Sequence, residues 1–358
     1  MPALDVELLS STPPNPQEGS GTFVALDGLA RGLAGLGHRV RLRPLGLRTR
    51  FHTLDRWLYN ARVAAAPPRA DVVVGVDLDG FLWARRRAAG SPTFVVALKG
   101  IIADELRNER GWARVLLSVQ ARWERANCHR ADRVLVPSRY SADVARTLYA
   151  IPPERLRVVP EALDLADWRR RFAAAEAQGG RADRPTILAV ARMYPRKRLD
   201  DLLRAGALLR RRIPDAQIRI VGEGPESARL HQLQARLGLG ETVAFLGHVS
   251  RRVLAVEYVR ADCFCLPTVQ EGFGLVFTEA MAAGLPVVAC RAAAVPEVVE
   301  DGTTGLLVEP RNAEALATAL ATVLGDAGLR RRLGEAGRRR VEAFDLEPVA
   351  RRFVEALP

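Results

Sequence analysis

The feature that most limits what this chain can fold into is the regular exchange of short apolar runs and amphipathic stretches along its second half. Strand-like runs fall at Thr186–Ala191, Gln217–Val221, Val243–Leu246, Cys263–Leu266, Pro286–Ala289 and Gly305–Val308. Helix-like stretches lie between them at Leu199–Arg212, Pro225–Leu237, Arg251–Val259, Val276–Ala283 and Pro296–Glu300. Strands alternating with helices at this spacing build a parallel sheet covered on both faces, and the near-continuous apolar character of the runs fits burial on both sides. Proline at helix starts, as at Pro225 and Pro296, supports the boundaries.

The first half carries the same theme less cleanly. Val6–Leu9 leads into a loop with Pro13, Pro14 and Pro16, then Glu18-Gly19-Ser20-Gly21 opens a helix that runs through Leu36 and stops at Gly37. Further strands read at Val40–Leu42, Val72–Val76, Phe94–Leu98 and Val134–Val136. A chain of 358 residues is ample for two domains. The expected division is a first domain over 1–168, a linker over 169–184 rich in Ala, Gly and charge, and a second domain over 185–343. A last helix reads over 344–357, and spacing alone does not show which domain it joins. The predicted fold class is α/β, two Rossmann-like domains facing a central cleft.

Composition excludes several classes. No apolar run is long enough to span a bilayer, and the acidic start Met1-Pro2-Ala3-Leu4-Asp5 does not read as a signal peptide. The four cysteines lack metal spacing; Cys263 and Cys265 alternate along one strand and Cys290 ends another, so buried thiols in a reducing cytoplasm are expected. A net charge of +12 would suit nucleic acid, but the arginines are scattered over most helices. Nucleic acid is therefore not expected as a partner. Only two of the 53 basic residues are lysines, Lys99 and Lys197. In so arginine-rich a chain, a retained lysine marks a position that needs a compact point charge instead of a planar fork.

The residues with most chemistry lie between the strand Cys263–Leu266 and the next helix. Glu271-Gly272-Phe273-Gly274-Leu275-Val276-Phe277-Thr278-Glu279 sets two glutamates with seven residues between them. Gly272 and Gly274 leave the turn bare, so backbone amides at the helix start approach an anion closely. An ordinary βα turn with two solvated acids is the plain alternative. The whole string from Leu266-Pro267-Thr268 to Gly284-Leu285-Pro286-Val287-Val288 resembles the Glu-x7-Glu region of retaining glycosyltransferase family 4, whose members have two domains of the GT-B type. A second element agrees: Ile187–Ala191 followed by Arg192 and, after Met193-Tyr194-Pro195-Arg196, Lys197 is similar to that family's strand–Arg–loop–Lys element.

The resemblance implies an enzyme that moves a sugar from a nucleotide-diphosphate sugar to an acceptor hydroxyl with retention of configuration. It implies no metal and no other cofactor. Arg192 and Lys197 would neutralise the leaving diphosphate and Glu271 would hold donor-sugar hydroxyls. Glu279 would bind ribose hydroxyls, while the amides of Gly272, Phe273, Gly274 and Leu275 meet phosphate or sugar oxygens. The Gly19-Ser20-Gly21 turn corresponds to the family's first-domain glycine loop, so Gly19 and Gly21 join the donor-binding set. Lys99, after the strand Phe94–Leu98, stands near where many members carry a histidine; it is expected to contact the donor sugar, a phosphate or an anionic acceptor. Asp77 and Asp79 are expected on the acceptor side or capping the next helix. Their Asp-x-Asp spacing is also the metal–nucleotide signature of a different, one-domain glycosyltransferase fold.

The acceptor class stays open among a glycan, a lipid and a small molecule. From Arg107 to Arg130, Trp112, Val115, Leu116, Val119 and Trp123 recur at helical spacing with Arg110, Arg114, Arg122 and Arg125 nearby. The plainer expectation is a helix packed on its own sheet; the other is a peripheral contact with the inner face of a membrane. Other functions with the same donor motifs are a phosphorylase or synthase of this architecture and a sugar-nucleotide-binding protein without turnover.

Overall fold

The computed structural model describes residues 2–13, 21–46, 49, 51–108, 111–180 and 182–358. The chain divides into two compact units, Met1–Leu163 with Phe344–Pro358, and Asp164–Ala343.

In the first unit β1 (Asp5–Leu9), α1 (Gly21–Gly35), β2 (Arg39–Arg43), α2 (His52–Ala65) and β3 (Val72–Val76) come first. They are followed by α3 (Phe81–Ala84), β4 (Thr93–Ala97), α4 (Ile102–Glu105), α5 (Gly111–Arg130), β5 (Arg133–Val136), α6 (Arg139–Tyr149) and β6 (Leu156–Val158). The six strands are parallel in the order β2-β1-β3-β4-β5-β6. β3, Val-Val-Val-Gly-Val, is buried at every position, as a central strand with both faces covered must be. β2, Arg-Val-Arg-Leu-Arg, is the edge, and its arginines discourage pairing with a further strand.

The second unit opens with α7 (Leu165–Glu176) and continues β7 (Thr186–Val190), α8 (Leu199–Leu209), β8 (Gln217–Val221), α9 (Ser227–Arg236), β9 (Val243–Gly247) and α10 (Arg251–Arg260). Then come β10 (Cys263–Leu266), α11 (Leu275–Ala282), β11 (Val287–Cys290), α12 (Val295–Val298), β12 (Gly305–Val308), α13 (Ala313–Gly325) and α14 (Ala327–Arg340). This sheet is also parallel, in the order β12-β11-β10-β7-β8-β9. The expected fold class, two parallel α/β domains, is what the chain forms.

Where the sequence suggested a linker over 169–184, the chain forms most of α7 instead. Asp164 caps this helix, its Oδ1 accepting the Asp167 N–H at 2.8 Å. Leu165, Trp168, Phe172 and Ala175 bury one stripe, and the rings of Trp168 and Phe172 lie 5.7 and 6.1 Å from Tyr258 of α10. This apolar spacing was hidden by a surrounding run of arginine and alanine.

The last helix, α15 (Leu346–Glu355), belongs to the first unit. Its Val349, Ala350 and Phe353 enter one core with Val6, Leu8, Leu26, Leu29 and Leu33. A side chain at Gly32 of α1 would bring its Cβ within 2.5 Å of the Leu346 carbonyl oxygen, so only glycine permits this approach. Where the chain returns, the Leu163 N–H donates to the Phe344 carbonyl at 2.8 Å. The four cysteines are buried and unbonded, as expected.

Candidate functional site

In the second unit, β7 and β10 are neighbours in the sheet although β8 and β9 separate them in sequence. Strand order reverses between them, and at such a switch point the loops leaving the two carboxyl ends diverge to opposite faces and open a crevice. The loop after β7 carries Arg192 and Lys197; the loop after β10 carries Glu271 and its two glycines. The two loops are pinned together, because the Val269 N–H and the Thr268 hydroxyl both donate to the Arg196 carbonyl, at 3.0 and 3.2 Å.

Across this junction Lys197 Nζ donates to Glu271 Oε1 in an ion pair whose side chains are only 12% and 11% exposed. Arg198 is committed locally: at a left-handed φ of 54°, it grips both carboxylate oxygens of Asp201 at 2.8 and 2.9 Å. Arg192 is exposed, its guanidinium 5.7 Å from the Tyr194 ring centroid. Gly274 sits at φ 95° at the start of α11, where no side chain caps the helix, and a Cβ there would fall 2.6 Å from Phe277 Cδ2. Phe273 is buried beneath this turn.

Glu279 lies one turn into α11 and is held from behind. The Tyr258 hydroxyl donates to its Oε2 at 2.9 Å. Burial pushes the carboxyl up to about 7, against the opposing pull of the Tyr258 bond and the Arg251 charge. Tyr258 and Arg251 were not singled out from the sequence; both belong to α10, and only the tertiary fold brings them to the glutamate.

The first unit holds the remaining candidates, and it places several otherwise than expected. Lys99 follows β4, and its Nζ donates to Glu161 Oε2 at 2.7 Å, with side chains 13% and 8% exposed. The pair lines a small, open pocket whose other walls include Leu29, Leu135 and Phe353. Glu161 was missed, although it follows a strand end as Lys99 does; β6 is only three residues long and gave no readable period.

Asp77 and Asp79 do not line a surface. Both are buried, and they brace backbone: Asp77 Oδ1 accepts the Lys99 N–H at 2.9 Å, and Asp79 Oδ2 accepts the Ser11 N–H at 2.6 Å. Nor do they cap α3. That role falls to Asn60, whose Oδ1 accepts the Gly80 and Phe81 N–H groups at 2.7 and 3.1 Å. Burial pushes both aspartates up to about 6. Glu124 is fully buried beside them, accepts from the Ile102 N–H and the Tyr149 hydroxyl, and is pushed well above the carboxylate range by burial and then by the Asp77 charge. Among the described residues no group of three or more His, Cys, Asp or Glu side chains is placed to hold a metal ion. Gly19 and Ser20 lie outside the described residues; Gly21 is the first residue of α1.

The second unit thus gathers at one switch point an exposed arginine, a half-neutralised lysine, a glycine-led helix start and two carboxylates. That set suits a diphosphate flanked by hydroxyl-bearing groups.

Comparison with known proteins agrees. The family model described as Glycosyltransferase Family 4 matches residues 5–167, and that described as Glycosyl transferases group 1 matches residues 171–340. A GDP-mannose-dependent alpha-(1-6)-phosphatidylinositol monomannoside mannosyltransferase from Mycolicibacterium smegmatis is 34% identical over 66% of this chain and 64% of its own length. A D-inositol 3-phosphate glycosyltransferase from Kribbella flavida is 35% identical over 63% of this chain and 56% of its own. The chain therefore spans less than two thirds of either relative. Among solved structures, sucrose-phosphate synthase from Thermosynechococcus elongatus superposes with a TM-score of 0.82 at 25% identity, covering 98% of this chain and 97% of that one. An Anabaena protein solved with UDP and glucose has a TM-score of 0.76 at 20% identity over 98% of both chains, a likeness of fold. With the two models together accounting for nearly its whole length, the chain belongs to the family 4 glycosyltransferases and has their two-domain GT-B architecture.

Proposed function

We propose that this protein transfers a sugar from a nucleotide-diphosphate sugar to an acceptor hydroxyl, with retention of configuration and without a metal ion. The observation that carries the reading is the Lys197–Glu271 pair at the β7/β10 switch point, beside the glycine-led start of α11. As the glycosidic bond breaks, negative charge grows on the leaving diphosphate. Arg192 and Lys197 stabilise that charge more than they stabilise the bound donor, which is what lowers a barrier. Lys197 meets the diphosphate as a point charge; Glu271, at its side, takes hydroxyls of the donor sugar. Glu279 takes the ribose hydroxyls, and the amides of Gly272–Leu275 take phosphate or sugar oxygens. The acceptor's proton passes to the leaving phosphate on the same face, so no protein base is required.

The first unit supplies Lys99 for the donor sugar, a phosphate or an anionic acceptor. Asp77 and Asp79 serve by holding the backbone of Lys99 and Ser11 in place. The names of the relatives make GDP-mannose the first donor to test and inositol phosphates or their lipids the first acceptors; the Anabaena fold neighbour, also solved with UDP-glucose, makes that the second donor to test. The same reading sets the protein in the cytoplasm, and a lipid-borne acceptor would bring it to the membrane face there. Among the described residues no helix is long and apolar enough to cross a membrane.

The test is thermal stabilisation by GDP, UDP and ADP, each in chelator, on the wild type and on Lys197→Ala. A ligand at a hundred times its dissociation constant adds about 2.7 kcal/mol. A shift with one nucleotide that the variant loses supports the site and names the base. A shift that appears only with a divalent cation, or none with any nucleotide, overturns the reading. Turnover with the matching donor, with the product anomer assigned by NMR, then tests retention.

A further inference from the structure

The large apolar side chains that the fold leaves in solvent are not spread over the surface. Of the ten such residues among those described, seven lie on two helices of the first unit or at their edge. They are Phe51, Leu54 and Trp57 on the α2 side, and Trp112, Val115, Leu116 and Val119 on α5. Trp112 is 81% exposed and Phe51 71%, values a packed helix face does not leave. The expectation that the Trp-rich segment packs on its own sheet holds only for its second half. There Gln120, Ala121, Glu124, Asn127 and Cys128 turn inward and Trp123 stacks on Phe81 at 5.3 Å. The first half, with Trp112, Val115, Leu116 and Val119 on one helical face, faces outward.

The two helices lie side by side. Gln120 of α5 donates to the Thr53 hydroxyl at 2.8 Å and accepts from Arg56 at 2.9 Å. The exposed residues flank this contact: Leu54 and Trp57 each one position beyond a bonded residue of α2, Leu116 one turn and Val119 one residue before Gln120. Charge selects the occupant. The acids of the two helices, Asp55 and Glu124, are buried, whereas Arg114, Arg122 and Arg125 are exposed. An outward face of tryptophan, leucine and valine, with arginine as its exposed charge and no exposed acid among the described residues of the two helices, complements a layer of anionic headgroups over acyl chains.

We infer that α2 and α5 together form a docking surface for an anionic membrane, with Trp57 and Trp112 seated at the headgroup level and the arginines against lipid phosphates. The surface stands apart from glycosyl transfer: vesicle binding is read without donor or acceptor, and nucleotide binding is read without lipid.

The experiment is sedimentation with vesicles of phosphatidylcholine containing phosphatidylglycerol, against phosphatidylcholine alone, for the wild type and a Trp57→Ser/Trp112→Ser variant. Both side chains are exposed, so the variant should keep the wild-type melting temperature and nucleotide shift. The expected result is co-sedimentation of the wild type with anionic vesicles, weaker on neutral ones and at high salt, and about tenfold or more lower partition for the variant. A blue shift of tryptophan fluorescence on adding anionic vesicles should vanish in the variant. The inference falls if the wild type stays in the supernatant at low salt, or if the variant binds equally well. It also falls if the two substitutions instead abolish a dimer seen by sedimentation velocity without vesicles, since a second copy is then the occupant.

Discussion

Lys197 and Glu271, 74 residues apart in sequence, form a nearly buried ion pair at the one place in the second sheet where strand order reverses. Each of the chain's two lysines is matched in this way with a glutamate behind another strand, Lys99 with Glu161 and Lys197 with Glu271. Under the proposed function, the glutamate would hold the lysine in a fixed place before donor binds, and the lysine would turn to the diphosphate without first being ordered. The arrangement would then lower the cost of organising the site at the moment of reaction.

Arg192 and Lys197 should therefore separate by stability while agreeing in turnover. Arg192→Ala removes an exposed side chain and should leave the melting temperature unchanged. Lys197→Ala strands Glu271 in a nearly buried position and should cost about 3 kcal/mol. Each should lower kcat by about 10² to 10³ if it stabilises the leaving diphosphate. Calorimetry together with steady-state kinetics checks both halves; equal stability losses would refute the distinction.

The Lys99–Glu161 pair allows a cleaner separation. Either single change, Lys99→Met or Glu161→Leu, leaves one charge buried and should destabilise by about 3 to 5 kcal/mol, whereas the double variant should recover most of that. If Lys99 touches substrate, the double variant stays poor in turnover despite its restored stability. Full turnover in the double variant would take Lys99 out of the site.

Nucleotide affinity should depend on pH through Glu279. Burial pushes its carboxyl up to about 7, and only the ionised form accepts from both ribose hydroxyls. The dissociation constant for the nucleotide should rise as pH falls through about 7, and Glu279→Gln should bind weakly with a flat profile. Tyr258→Phe removes a bond that favours the ionised form and should move the transition to higher pH. Titration calorimetry between pH 5.5 and pH 8.5, a window of roughly this shift, reads all three.

The free protein should lose stability as pH rises from about 4 through 7. Asp77 and Asp79, held near 6, and Glu279, held near 7, bind protons more tightly folded than unfolded. Their contribution is complete below the ordinary carboxylate range and is lost as pH climbs through the folded values. Asp167, lowered against burial by Arg171 and Arg170, and Asp301, lowered against burial by the Leu307 N–H and then Arg291, act in the opposite sense but at more acid pH. Melting temperatures of the wild type and of Asp77→Asn across this window check the slope; a variant with an unchanged slope would assign it elsewhere.

Gly274 carries a prediction about backbone alone. At φ 95° with Phe277 against it, Gly274→Ala should cost about 1 to 3 kcal/mol and should tilt the first amides of α11 out of reach of a phosphate. The loss of a nucleotide-induced shift in a protein that still melts cooperatively is the result to look for.

Much of this was legible in the sequence because parallel strands are apolar on both faces and stand out from their surroundings. Val72–Val76 was read to the residue, and β10 likewise. The pair of loops at the switch point was legible because glycine and paired glutamates at a strand end have a narrow set of uses. What escaped was decided in three dimensions. The stripe of α7 was masked by arginine, Glu161 follows a strand too short to show a period, and Asp77 and Asp79 read as acceptor-side or helix-capping acids until their backbone partners were seen. The outward face of α5 was one of two readings left open, because periodicity shows that a helix has an apolar face, but not whether anything in the chain covers it.

The return of the chain to its first unit sets an order of birth. α15 supplies Val349, Ala350 and Phe353 to a core whose other walls, Leu26, Leu29 and Leu33 of α1, leave the ribosome some three hundred residues earlier. The whole second unit, Asp164–Ala343, is made in between. The unit that starts first thus finishes last, and α1 waits with its apolar stripe uncapped for roughly fifteen to sixty seconds of translation. During that interval the nascent protein is half complete in an unusual sense: its later half is able to fold while its earlier half still lacks the piece that closes it.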